Sequence, residues 1–153
     1  MVKKTFNEKL QDSKDMPKII EIQNPKVIDR YKGNKMLIAP PLAYDEIIRK
    51  IPVGKVTTNE HIRKYLAKKH GAEFTCPLTA GIFINIAARA SEERGKDETP
   101  YWRVLKNNGE LNEKYPFGTQ GQKEHLIAEG FSVVQKGQRY FIENYLEKIF
   151  ELV

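Results

Sequence analysis

Two helical patterns separated by only a few residues constrain this chain more than any other feature. Thr57-x-x-Glu60 has the spacing of a capping box, in which a hydroxyl and a carboxylate each satisfy a backbone N–H at a helix start. The helix it opens turns Ile62, Tyr65 and Leu66 inward. Lys68, Lys69 and His70 suit its negative end, and Gly71 suits the left-handed position that follows. A short link, AEFTCP, then leads to Leu78–Arg94, which begins apolar nearly all round as LTAGIFINIAARA. Two helices so closely joined, the second following Pro77, predict a helix-turn-helix.

The flanking segments extend that core. LAYDEIIRKI places Ala43, Ile47 and Ile51 on one helical stripe, and Pro52-Val53-Gly54 breaks it before a strand-like Lys55–Thr57. Downstream, Asn107-Asn108-Gly109 sits between Trp102–Lys106 and Glu110–Leu111, the pattern of a hairpin. Gln120–Ala128 reads as a helix ending near Gly130. Ser132–Gln135 and Gln138–Ile142 flank Lys136-Gly137 as a second hairpin, and Glu143–Phe150 reads as an amphipathic closing helix. Before Pro41, Phe6 and Leu10 suggest a short helix over Lys3–Lys14 that Pro17 stops, with extended, surface-packed chain from Ile19 to Ile28. The expected fold class is mainly α with small β-hairpins: a winged helix-turn-helix built on a three-helical core. The expected organisation is an extension over 1–40, the winged-helix domain over 41–131, and a C-terminal hairpin and helix over 132–153.

Composition narrows the functional classes. At 153 residues the chain buries enough surface to fold without disulfides or metal, and its single cysteine, Cys76, has no partner. A lone thiol, a polar start and the lack of a run of about 18 apolar residues predict a soluble, cytoplasmic protein, with a monomer as the expected state. His61, His70 and His125 are scattered, so no metal site is expected. There is no Walker loop and no GxGxxG, and no cofactor is expected. The formal charge of +6 lies wholly within residues 1–75, which permits an acidic partner without identifying one. Cys76 precedes a helix N-terminus, where a thiol pKa falls. Most such cysteines are nonetheless buried and inert, and no acid–base partner is identifiable beside it.

The motifs between 41 and 131 carry more information. Ile51-Pro52-x-Gly54-Lys55-Val56-Thr57-Thr58, then Pro100-Tyr101-Trp102-Arg103-Val104, Gly109-Glu110-Leu111, Tyr115 and Ala128-Glu129-Gly130 occur in that order. In this order they resemble the DNA-binding domain of the alkylguanine-DNA alkyltransferases. The resemblance implies a winged helix-turn-helix that enters the minor groove of double-stranded DNA, flips a damaged guanine and removes its alkyl group with a Cys–His–Glu network.

The departures from that pattern decide the chemistry. Tyr101 stands at the family's Cys and Trp102 at its His, while Glu129 matches its Glu. A phenol is almost wholly protonated at neutral pH, and an indole N–H only donates, so alkyl transfer is not expected and no catalytic residue is assigned. The chain thus resembles the alkyltransferase-like branch that lacks the cysteine and binds alkylated guanine for other repair proteins to act on, although that branch typically reads PWHR, not PYWR.

The implied lesion pocket comprises Tyr101, Trp102, Tyr115 and Glu129, whose aromatics either stack on an extruded base or fill the old pocket. Lys55, Thr58, Asn59, Leu78, Thr79, Gly81 and Arg103 are the implied DNA-facing residues, with Arg63, Lys64 and Lys68 as further phosphate contacts. Asn59 replaces the family's phosphate-pressing Tyr. Leu78 falls on or near its intercalating Arg, as either a wedge between bases or a core residue. Arg103 is read equally well as a structural ion pair. The alternative function is an inherited fold that no longer binds DNA and serves as a protein-interaction or small-ligand module.

Overall fold

The computed structural model describes residues 3–153. Its centre is the long helix α5 (Pro77–Arg94), which starts on a proline at its first turn and stops at Gly95, whose φ of 68° only glycine adopts freely. Ala80, Ala87, Ala88 and Ala90 are buried along it. Their small side chains let two helices approach closely: α1 (Phe6–Gln11) and α3 (Pro41–Arg49). Ile47, Ile48 and Ile51 join Ile62 and Leu66 of α4 (Asn59–His70) and Ile84 of α5 in one apolar core. The result is mixed α/β with a helical centre and, among the described residues, three small sheets.

Helix α4 begins one residue later than the capping pattern predicts. Thr57–Thr58 (β3) pairs in parallel with Val104–Leu105 (β5), so the chain stays extended through Thr58. Thr58, not Thr57, then caps α4 by accepting the His61 N–H at 3.2 Å, and Glu60 pairs with Lys64 instead of reaching back. The Asn107-Asn108-Gly109 turn forms, with Gly109 N–H donating to Lys106 O at 2.9 Å. Beyond one further bond, from Lys106 N–H to Glu110 O at 2.8 Å, its arms separate. β5 goes to β3, and Leu111 donates to Tyr140 O on the neighbouring hairpin, so the predicted first hairpin is a turn without a ladder. The second hairpin is present as β6 (Val133–Lys136) and β7 (Arg139–Ile142). Between the two, α6 (Gly118–Ala128) runs close to its predicted span.

The closing helix predicted over Glu143–Phe150 shrinks to one 3-10 turn, Tyr145–Lys148. Val56 donates to Lys148 O and accepts from Phe150 N–H, which holds the tail extended where a helix would have to continue.

The first forty residues are more ordered than the extended chain expected of them. Lys18–Glu21 (β1) pairs antiparallel with Lys35–Ile38 (β2), and β2 pairs in parallel with Phe74–Thr75 (β4) in the link between α4 and α5. Between β1 and β2 lies α2 (Pro25–Tyr31), capped by Asn24 Oδ1, which accepts from the Lys26 N–H at 2.9 Å. Helix α1 is shorter than predicted and docks on the end of α5. The Phe6 and Asn7 N–H groups donate to the Glu93 carboxylate, and Arg94 donates to Asn7 Oδ1. Leu37, 1% exposed, places the N-terminal segment in the core itself. Leu37→Ala is therefore expected to cost about 2–5 kcal/mol, measured by urea unfolding followed through Trp102 fluorescence, whereas a loss below about 1 kcal/mol would mean that the segment only rests on the surface.

Candidate functional site

The aromatic cluster predicted from the resemblance is assembled, and its rings are buried. A 3-10 turn over Tyr101–Arg103 follows Pro100 and delivers Tyr101 (1% exposed) between Trp102 and Tyr115, both also buried. Tyr101 meets Trp102 and Tyr115 edge-on at centroid distances of 5.3 and 5.2 Å. His125 of α6 stacks on Trp102 at 3.9 Å. Hydrogen bonds fix the two tyrosine rings. Tyr101 donates to Glu92 at 2.8 Å, and Tyr115 donates to Val104 O at 2.9 Å. Burial, with the Glu92 carboxylate adding to it, pushes the Tyr101 phenol up from its ordinary value. That makes it a weaker alkyl acceptor than a free tyrosine.

Glu129 organises the other side of the cluster. Its carboxylate accepts from Trp102 Nε1 at 2.8 Å and from Arg103 Nε and Nη2 at 2.9 and 2.8 Å. Burial alone would raise its pKa, but the hydrogen bonds from Arg103 and Trp102 outweigh it and hold the carboxyl below the usual range. Arg103 also donates to Ile51 O at 2.6 Å, so its guanidinium is committed inside the protein. Gln122 is a second buried organiser. It donates to Trp102 O, and its Oε1 accepts from the Asn112 N–H.

The opposite face of α5 is open. Leu78 is 71% exposed and Ile82 49%, and Gly81 lies between them with free space where a side chain would be. They border a groove of about 630 Å³ between the start of α4, the start of α5 and the segment 106–114, lined also by Asn59, Arg63, Lys106 and Asn107. Leu78 is thus a surface residue, although a leucine at a helix start is usually core. Asn59 accepts from Arg63 Nε at 2.6 Å, which holds that guanidinium at the groove. Lys55 is exposed, whereas Thr58 is fully buried in the α4 cap and Thr79 is half-buried.

Cys76 is buried at the N-cap of α5, its Sγ accepting the Thr79 N–H at 3.5 Å. The charged loop 95–100 is pinned: Arg49 pairs with Asp97 at 2.8 Å, and Arg94 donates to Asp97 O and Thr99 Oγ1. Among the described residues no cluster of three or more His, Cys, Asp or Glu could hold a metal, and no helix is long and apolar enough to cross a membrane.

Sequence reasoning brought Tyr101, Trp102, Tyr115 and Glu129 to one place but missed His125 and Gln122. Both lie on α6 facing the cluster, Gln122 buried and His125 half-buried, and no periodic signal marks a lone polar residue as packed inward. The groove residues Asn107 and Lys114 are legible only as turn and surface.

With this geometry in hand, the fold can be placed among solved structures. No protein-family model matches the chain, and no curated protein matches it. Two crystal structures share its fold. S. pombe Atl1 in complex with damaged DNA containing O6-carboxymethylguanine is 23% identical with a TM-score of 0.52, and S. pombe ATL in complex with DNA is 22% identical with a TM-score of 0.56. In each, 73% of this chain covers 94% of the neighbour.

The Glu129 network generates a prediction with a definite pH sign. A lowered carboxyl pKa contributes stability that is present above the unfolded value and lost as pH falls through the folded one. Glu129→Gln is expected to cost about 3 kcal/mol at pH 7 by leaving Arg103 without its counter-charge. In urea unfolding at a series of pH values, the gap to the unaltered protein should close as pH falls below the ordinary carboxylate range. A gap independent of pH would show that the charge of Glu129 does not stabilise the fold.

Proposed function

We propose that this chain is a non-catalytic DNA-binding protein of the alkyltransferase-like type, reading alkylated guanine in duplex DNA. In this reading α4 and α5 act as the helix-turn-helix and residues 104–115 as the wing. The observation that carries it is the open start of α5. Leu78, Gly81 and Ile82 form an apolar ridge that remains uncovered on a fold whose solved neighbours hold DNA. An apolar side chain standing free at such a helix start suits insertion between base steps in a minor groove. Gly81 suits close approach to the duplex. Arg63 and Lys114 around the groove, with Lys55 nearby, suit phosphates, while Lys106 is paired with Glu113 at 2.8 Å.

The closed aromatic cluster refines how a base is read. Tyr101 and Trp102 occupy the space in which the resemblance puts cysteine and histidine, so an extruded guanine would rest in the groove against the outer surface of the fold. With Tyr101 protonated and hydrogen-bonded to Glu92, and with Trp102 able only to donate, the site supports recognition without transfer.

The test is a titration of duplexes carrying guanine or O6-methylguanine at several salt concentrations, read by anisotropy of a labelled strand. The expected result is salt-dependent binding, tighter to the modified duplex. Leu78→Ala should weaken both complexes by about 1–3 kcal/mol, the scale of one lost base-step contact. Absence of binding to either duplex would overturn the reading in favour of a protein-interaction or small-ligand module.

A further inference from the structure

A second groove adjoins the first and shares Arg63, Pro77 and Asn107 with it. Its volume is about 740 Å³. One wall is α4, through Arg63, Lys64 and Lys68; the other is the end of α2, through Arg30 and Tyr31. The N-terminal segment is held there firmly. Tyr31 stacks flat on Phe74 of β4, with centroids 4.6 Å apart and planes 4° apart, and Arg30 lies over the Tyr31 ring at 5.6 Å.

The charges facing this groove leave a positive surplus. Glu60 is paired with Lys64 at 2.8 Å, and Glu73 accepts the Asn34 and Lys35 N–H groups at 3.2 Å. Asp29, on the same helix as Arg30, pairs with Lys32. Arg30, Arg63 and Lys68 make no ion pair among the described residues. Three cations without an ion-pair partner, set against the single carboxylate of Glu73, thus line a trough that runs on from the recognition groove and carries a net positive charge. The segment that supplies Arg30 also leaves Leu78 and Ile82 uncovered, so it flanks the open start of α5 without masking it.

We infer that this trough is a second phosphate track: the duplex backbone leaving the start of α5 passes Asn107 and lies between α4 and Arg30, so that residues 25–32 clamp the flank of the bound DNA. The inference rests on the DNA-binding reading above and adds a contact from the N-terminal segment. An acidic protein would satisfy the charges but not their continuity with the α5 groove, which a duplex backbone follows without a break.

Arg30 and Lys68 are exposed and outside the core, so single substitutions test the trough without unfolding the protein. Arg30→Gln, Lys68→Gln and, as a control on the loop beyond the far end of α5, Lys96→Gln would be titrated with the same duplexes over a salt series. Each of the first two should reduce the slope of log K against log salt by about 0.9, the value of one phosphate contact. Affinity should fall equally for guanine and O6-methylguanine duplexes, while Lys96→Gln leaves the slope unchanged. If the unaltered protein binds with a steep salt dependence that neither groove variant alters, or that Lys96→Gln alters as much, the track is overturned and the recognition reading stands. If the unaltered protein binds no duplex, both are overturned.

Discussion

The carboxylate of Glu129, at the end of α6, accepts hydrogen bonds from the indole of Trp102 and the guanidinium of Arg103 in the 3-10 turn before β5. An ionised carboxylate set this deep is stable only when its charge is paired and its lone pairs are satisfied, and those two residues do both. The bond network therefore fixes where α6 meets the 101–103 turn. Arg103 carries the constraint on to Ile51 O at the end of the α3 segment, and Gln122 carries it to the backbone of Trp102 and Asn112. A position that the resemblance places in a Cys–His–Glu network holds three structural elements together in this chain.

Closing that site has a consequence for the rest of the surface. Tyr101, Trp102 and Tyr115 fill the interior by edge-on contacts, with the half-buried His125 stacked on the outer side of Trp102. What stays open is the outer face, where Leu78 and Ile82 project beside a groove. Exposing two large aliphatic residues around a bare glycine is unfavourable in water unless something covers them. In the reading proposed here, the minor groove of DNA does so.

Much of this was legible in the sequence, for identifiable reasons. α4 and α5 announce themselves through caps, terminal charges and Pro77, because those signals are local. Tyr101, Trp102, Tyr115 and Glu129 were legible through ordered motifs, although not whether the cluster they form was open. That depends on how Tyr101 and Trp102 pack, which spacing does not encode. The sheet joining β1, β2 and β4 was not legible, since β1 pairs with β2 across the intervening helix α2 and β2 pairs with β4 across the whole of α3 and α4. The closing helix failed for a related reason. Tyr145, Leu146, Ile149 and Phe150 have helical spacing, yet Val56 recruits the backbone on both sides of Ile149 into a bridge. Long-range hydrogen bonding overrode local periodicity there.

The most direct test of the central claim, that the open start of α5 is a DNA-reading face, is to follow backbone amide resonances of the labelled protein as a short duplex containing O6-methylguanine is added. The account predicts that the largest shifts fall at Leu78–Ile82 and at Asn107–Asn108, with the Trp102 indole N–H keeping its hydrogen-bonded position throughout. Shifts confined to the hairpin β6–β7 or to the C-terminal tail, with α5 silent, would contradict it.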